Sequence, residues 1–563
     1  SRSRSVPNGD RLYRKDGDGS FTNVTQEAGI TGGGYGLGLA VSDVNKDGWP
    51  DVYAANDLYT RDRLYINQRD GTFADRSRQY LRHQSYSAMG VDIADFNNDR
   101  RSDIMVLDML PKDPRRRRLI SNVGTRADGM WQYGRNTLQL NNGVGPDGQM
   151  VFSEIGQLAD VEATGWSWAP LLADYDNDGD RDLFVSNGYG KLVTHLDFVE
   201  RRRQARFSGS RKENREALFK ALRDLPTAHL TNRFFENEGS PEANSGDPLQ
   251  FTERTGAWVT EHPGISNGAA FADFDRDGDL DLVTNNINEE ATLLKNRTSE
   301  RTHSNALRID LHGPDGNRRG LGTKLLLFND GTTQYHTFSP YRGYQSTVQG
   351  IVHFGLGADS TADSLKVVWP DGSTRFLTSV KANQVLDVHY EQARGTPEKE
   401  PPDSSGTART RLLFRASADR RGLDHRHQET EMGDFRVNPL LPHRYSKNGP
   451  GIAVGDVDGN GLDDVFVGAD LKHRSVLFRQ QRSGRFRKQR LSFGGGHNDM
   501  GSLFFDADMD GDQDLYVVSG GNAGPPDNYK NTYQDRLYLN DGDGNFKRAK
   551  GSLPDITASG SVV

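Results

Sequence analysis

A nine-residue pattern recurs six times along this 563-residue chain, and it limits the possible folds more than any other feature. Its most regular copies are Asp174, Asp176, Asp178, Asp180 and Asp182 around Gly179, and Asp273, Asp275, Asp277, Asp279 and Asp281 around Gly278. Acidic side chains hold positions 1, 3, 5 and 9, position 6 is glycine, and an apolar run follows at once. Oxygens on alternate residues of a tight turn point into one small volume, and glycine supplies the positive φ that such a turn needs. Carboxylates crowded this way repel one another without a cation. The cation that accepts many oxygen ligands in loose geometry is Ca2+.

The remaining copies are graded. Asp506, Asp508, Asp510, Asp512 and Asp514 with Gly511 are as complete as the first two, and Asp456, Asp458, Asn460, Leu462 and Asp464 with Gly461 lose one charge. Asp43, Asn45, Asp47, Trp49 and Asp51 keep Gly48. Asp95, Asn97, Asp99, Arg101 and Asp103 carry Arg100 in place of the glycine, which puts that one site in question. Position 7 should offer only its backbone carbonyl, which explains why Trp49, Arg101, Asp180, Asp279, Leu462 and Asp512 differ so widely. The expectation is about six Ca2+ sites.

An EF-hand needs a bidentate Glu at position 12 and a helix on each side. Here position 12 of the third copy is Val185, and the segments after the loops, such as 182–186 and 464–468, are β-branched and aromatic. They suit strands. Asp10-Arg-Leu-Tyr, Asp62-Arg-Leu-Tyr and Asp535-Arg-Leu-Tyr, each followed by an Asp-Gly turn, supply a second half of the repeat. The unit reads as strand, loop, strand, strand, turn, strand, and the loops at 43 and 95 or 456 and 506 stand about 50 residues apart, as four-stranded propeller blades do.

The expected fold class is therefore all-β. Blades span 1–300, with wider spacing around residues 174 and 273 marking insertions; a separate β-rich block without Asp loops spans 305–392; a polar, Pro-containing linker spans 393–408; and a second set of blades spans 409–563. One insertion carries a short helix over 211–225, from the capping signature Ser210-Arg-Lys-Glu213 and the spacing of Leu218, Ala221, Leu222 and Leu225 before Pro226. The basic run Arg115–Arg118 reads as a solvated loop rather than a phosphate-binding patch, and no nucleic-acid partner is expected. Both ends read as cut: residues 1–21 supply half a blade and 559–563 resemble the strand that leads into another loop, so the signal peptide is expected upstream.

The chain has no cysteine, which excludes disulfides, thiol nucleophiles and zinc–thiolate sites. Its formal charge of -8 misleads: about six Ca2+ ions would leave the loaded chain near +4. No stretch approaches the ~20 apolar residues of a membrane helix.

With these residues in view, the chain resembles the FG-GAP/VCBS repeat family of calcium-binding β-propellers, related in design to the integrin alpha-subunit head. The block at 305–392 resembles the ASPIC/UnbV domain through Gly320-Leu-Gly-Thr-Lys324, Tyr341-Arg-Gly-Tyr-Gln-Ser346, His353-Phe-Gly-Leu-Gly357 and Trp369-Pro-Asp-Gly372. The pairing is similar to large bacterial surface proteins and the cartilage acidic proteins. The resemblance implies fold and calcium strongly and activity weakly. The leading expectation is a non-enzymatic scaffold, secreted, periplasmic or displayed on the cell surface, that binds a glycan or protein. Trp131, Trp166 and Trp168 are candidates to stack on sugars, with core packing as their alternative. The alternatives are a polysaccharide lyase or hydrolase, for which His425 and His427 are the one histidine pair at i, i+2, and a purely structural module.

Overall fold

The computed structural model describes residues 9–560, apart from 18, 58–59, 120–124, 128, 146–148, 205–210, 240–249, 394–413, 417, 429–448, 492, 494–495, 522–532 and 556–559. Each Asp loop closes a hairpin. The residue before position 1 pairs with the Asp at position 9, as in Ala173 with Asp182 and Ala272 with Asp281. That Asp is the first residue of the next strand in all six copies.

Six four-stranded antiparallel sheets result. Their innermost strands are Tyr35–Ser42, Val91–Ala94, Ser167–Ala173, Ser266–Ala272, Ile452–Gly455 and Asp499–Phe505, and each lies against the next. Ser167–Ala173 and Ser266–Ala272 are buried at every residue, because neighbouring sheets cover both their faces. The two-stranded sheet of Tyr13–Lys15 and Phe21–Asn23 lies between the sixth and first blades. Lys15 donates to the Ala507 carbonyl, and Tyr65 donates to Asp10 at 3.3 Å.

The fourth blade is interrupted. Its strands Ser266–Ala272, Asp281–Asn286 and Thr292–Asn296 are completed by Phe414–Ala416, from beyond the middle block. Residues expected to form two sets of blades thus meet in one sheet, and the block is inserted before that blade's outermost strand. Of the linker expected at 393–408, all but residue 393 lies outside the described residues, as do the last residues, 561–563.

The middle block packs a three-stranded sheet (Ile351–Gly357, Asn305–His312, Gln384–His389) on a four-stranded one (Thr332–Thr337, Lys324–Asn329, Thr361–Val368, Thr374–Lys381). Leu307, Ile309, Leu325, Phe354, Val367 and Trp369 fill the space between them. From this block Tyr341–Ser346 enters the centre of the blade array. Gly343 exchanges backbone hydrogen bonds of 3.1 Å with Val91, Ile452 donates to the Gln345 carbonyl, and the Tyr344 ring meets Trp168 at 5.0 Å. Arg342 clasps Asp92 through two hydrogen bonds of 2.7 and 2.8 Å and donates to the Leu172 carbonyl at 2.9 Å. Gly343 has φ 78, and a Cβ there would stand 3.1 Å from Leu171. Only glycine fits without strain.

Helices are few. Arg211–Asp224 forms the expected insertion helix, preceded by Leu196–Gln204, while Pro114–Leu119 carries Arg117 to an ion pair with Glu162 at 3.1 Å. Among the described residues no helix is long and apolar enough to cross a membrane.

Candidate metal centre in the aspartate loops

The six loops share one backbone form. Position 6 has positive φ in each, including Arg100 at 68, so the missing glycine does not prevent the turn. Position 4 is left-handed too: Lys46, Asn98, Asn177, Arg276, Gly459 and Met509 have φ between 55 and 67. This second requirement was not visible in the residue types.

At position 1 the two carboxylate oxygens have different work. The outer oxygen accepts the position-6 amide, from Gly48, Arg100, Gly179, Gly278, Gly461 and Gly511 at 2.6 to 3.2 Å. In three loops the other oxygen, Oδ1 of Asp174, Asp273 and Asp506, is buried with no partner, and so are Oδ1 of Asp176 and Asp275. Buried carboxylate oxygens that are left unmade are expensive, and an oxygen-seeking dication is what such a set fits. Burial, then neighbouring carboxylates, pushes Asp174 up to about 8 and Asp176 well above the usual carboxylate range; burial raises Asp273 to about 6.

The loops differ in how completely they gather. Asp174, Asp176 and Asp182; Asp273, Asp275 and Asp277; Asp456, Asp458 and Asp464; and Asp506, Asp508 and Asp514 each bring three ligand atoms within 4.8 Å of one another. In the loops at 43 and 95 an amide replaces one carboxylate, and the side chains of Asn45 and Asn97 donate to Asp47 and Asp99 at 3.1 Å. Arg101 also pairs with Asp99 at 2.5 Å. Position-7 side chains differ in setting: Trp49 is exposed, while Asp279 accepts from Asn177 and Ser299. Arg479 and Lys295 neutralise Asp458 and Asp275 from outside.

Position 9 is a staple. One oxygen of Asp51, Asp103, Asp182, Asp281, Asp464 and Asp514 accepts the position-2 amide of its own loop, and the other accepts an amide at the end of the third strand. That third-strand residue is Asn67, Asn141, Asn237, Asn296, Gln480 or Asn540. Sequence reading passed over it, although an amide recurs at the end of each third strand. Its side chain rivets blades together: Asn141, Asn237, Asn296 and Asn540 donate to the position-2 carbonyls of the preceding blade, Val44, Phe96, Tyr175 and Val457, at 2.6 to 3.0 Å.

The middle block sits on these loops. Lys324 pairs with Asp43, Arg308 with Asp273, and Arg318 with Asp506 at 3.6 Å. Arg100 donates to Thr333, and Gly355 donates its amide to Asp174 at 3.0 Å. Arg319 interacts electrostatically with Asp456 and Asp463 of the fifth loop. Every loop is reached.

The other candidates separate by exposure. Trp166 and Trp168 are buried, stacked with Tyr189 at 3.9 and 5.9 Å, whereas Trp131 is 50% exposed. His427 is buried and His425 half-buried; the Ala291 amide donates to the His425 carbonyl, and the His425 ring lies edge-on to Phe478 and is pushed down to about 3, chiefly by desolvation.

A family model of FG-GAP-like repeats matches residues 3–54, 43–106 and 456–517, and the ASPIC and UnbV model matches 313–395. The chain carries FG-GAP-like repeats and an ASPIC/UnbV domain in these segments. Cartilage acidic protein 1 of Xenopus tropicalis is 26% identical over 387 residues, 67% of this chain and 49% of that protein. The Homo sapiens protein is 24% identical over 395 residues, 69% and 49%. The chain thus spans about half the length of the curated relatives it matches. Among solved structures, the V. cholerae biofilm matrix protein Bap1 aligns over 99% of this chain and 90% of its own at 10% identity and a TM-score of 0.28, too low to carry an argument.

Proposed function

We propose that this FG-GAP-like chain is a calcium-dependent, non-enzymatic extracellular scaffold, secreted, periplasmic or at the cell surface, that binds a glycan. The observation that carries this reading is the filled centre: Tyr341–Ser346 occupies the place where converging blades would offer a catalytic cleft. Calcium is assigned to the four loops with grouped carboxylates, with weaker sites at Asp43 and Asp95. The blades on either side of the ASPIC/UnbV block form one ring of seven blade positions, and the block caps its loop face.

The ligand surface is assigned to Trp131 and Tyr133. They lie on the same side of strand Met130–Tyr133, are 50% and 37% exposed, and their rings stand 6.3 Å apart at 11°. Two near-parallel exposed rings at that spacing suit consecutive sugar faces. The Arg135 guanidinium lies 5.1 Å over Tyr133 and fixes its orientation. A glycan array with wild type and Trp131→Ala, each with and without EDTA, tests this. Calcium-dependent retention of intact glycans, lost in the variant, is expected. Shortened glycans would instead indicate an enzyme, and no retention a structural module.

A further inference from the structure

We infer that Asp310, His312, Asp387 and His389, on the ASPIC/UnbV block, form a surface site for a transition-metal ion of the Zn2+ class, distinct from the aspartate loops. The chain carries Asp310-Leu-His312 on one strand and Asp387-Val-His389 on another. The strands run parallel and in register, so that Asp310 faces Asp387 and His312 faces His389. Strand alternation sends Leu311 and Val388 into the core and leaves all four polar side chains on the opposite face.

The side chains converge. Nε2 of His312 is 2.9 Å from Oδ1 of Asp387 and 3.9 Å from Oδ2 of Asp310, and ligand atoms of these three residues all lie within 4.8 Å of one another. The His389 ring stacks on His312 at 4.3 Å and 12°. His312 is 43% exposed and Asp387 62%, so an ion has access from solvent.

Simple ion pairing does not account for this register. An antiparallel partner could oppose each Asp to a His, whereas the parallel one sets carboxylate beside carboxylate, and like charges directly opposite destabilise a sheet. Arg319 also interacts electrostatically with Asp310, as do both imidazoles. A cation shared by two carboxylates and two imidazoles removes the conflict. Imidazole nitrogen with carboxylate oxygen suits Zn2+, Cu2+ or Ni2+ in a four-ligand site, whereas Ca2+ takes six to eight oxygens. The loops hold no imidazole, so the two kinds of site select different ions.

The test is equilibrium dialysis of the whole chain against Zn2+ with millimolar Ca2+ present to fill the loops, followed by Co2+ substitution read by visible absorption. Wild type and the control His473→Ala, whose ring pairs with Asp470 elsewhere, should bind one tight Zn2+. His312→Ala and His389→Ala should weaken it by more than about 100-fold, since loss of a ligand costs more than loss of its supporting partner. Both positions are partly exposed, and an unchanged melting temperature without Zn2+ confirms folding. The inference is overturned if wild type binds no Zn2+ in calcium, or if either variant binds it as tightly as wild type.

Discussion

Replacing Arg342 with Met tests whether the segment in the centre of the blade array is part of the fold or merely rests there. Arg342 is 5% exposed and Asp92 1%, and the pair is held by two hydrogen bonds of 2.7 and 2.8 Å. Met keeps most of the apolar stem, so the loss isolates the guanidinium. Breaking a buried pair from one side typically costs about 3–5 kcal/mol, because the other charge stays buried. Asp92 would keep the amides of Leu172 at 2.7 Å and Ile93 at 2.9 Å. It can also take up a proton, since burial already raises its pKa. The low end, about 3 kcal/mol, is therefore expected. In the double variant Asp92→Asn/Arg342→Met the stranded charge is gone, so the loss should shrink by at least ~1 kcal/mol. The assay is urea unfolding in millimolar Ca2+, followed by tryptophan fluorescence, because Trp168 lies 5.0 Å from Tyr344 and reports the segment's withdrawal. A single variant within ~1 kcal/mol of wild type, with no change in that fluorescence, would refute the claim that this ion pair anchors the centre.

Three further outcomes follow from the same geometry. Asn296→Ala removes side-chain bonds to the Tyr175 carbonyl at 2.7 Å and the Thr298 amide at 3.1 Å, and should cost about 2–4 kcal/mol in chemical unfolding; a loss below ~0.5 kcal/mol would dismiss the rivet. Gln480 stands where most other blades carry Asn, and its buried amide nitrogen and oxygen have no partner, so Gln480→Asn should stabilise by about 1 kcal/mol, read as a higher melting temperature. For pH, burial raises Asp174 and Asp464 to about 8 and Asp51 to about 7. Without metal the folded state then holds more protons than the unfolded chain, so stability is greatest below the unfolded carboxylate range near pH 4 and is lost as pH rises toward 8. Calcium needs the ionised form, so the drop in melting temperature caused by EDTA should be larger at pH 8 than at pH 5. An equal drop at both would show that these carboxylates do not hold the ion.

What could be read from sequence, and what could not, divides along the range of the interaction. The Asp loops were legible because each is a local turn whose ligands, bend and following strand lie within nine residues, and the structure puts the position-9 Asp at a strand start every time. The Asn rivets were not, since Asn237 acts on Phe96 and Asn540 on Val457, a blade away, so the recurring amide has no local partner that would reveal its role. The same holds for the fourth blade: nothing local to Phe414–Ala416 says that its partner is Thr292–Asn296, because antiparallel pairing fixes register between strands and leaves the intervening length free. Trp166 and Trp168, read as candidates to stack on sugars with core packing as the alternative, are both buried, because the tyrosines that cover them, Tyr189 and Tyr344, come from a later segment and from the inserted block. Within Tyr341–Ser346, Gly343 is required by close approach, Arg342 by a buried partner and Tyr344 by a tryptophan face. None of those requirements exists within the block itself; each is set by a blade, so the ring and its cap constrain each other's sequence.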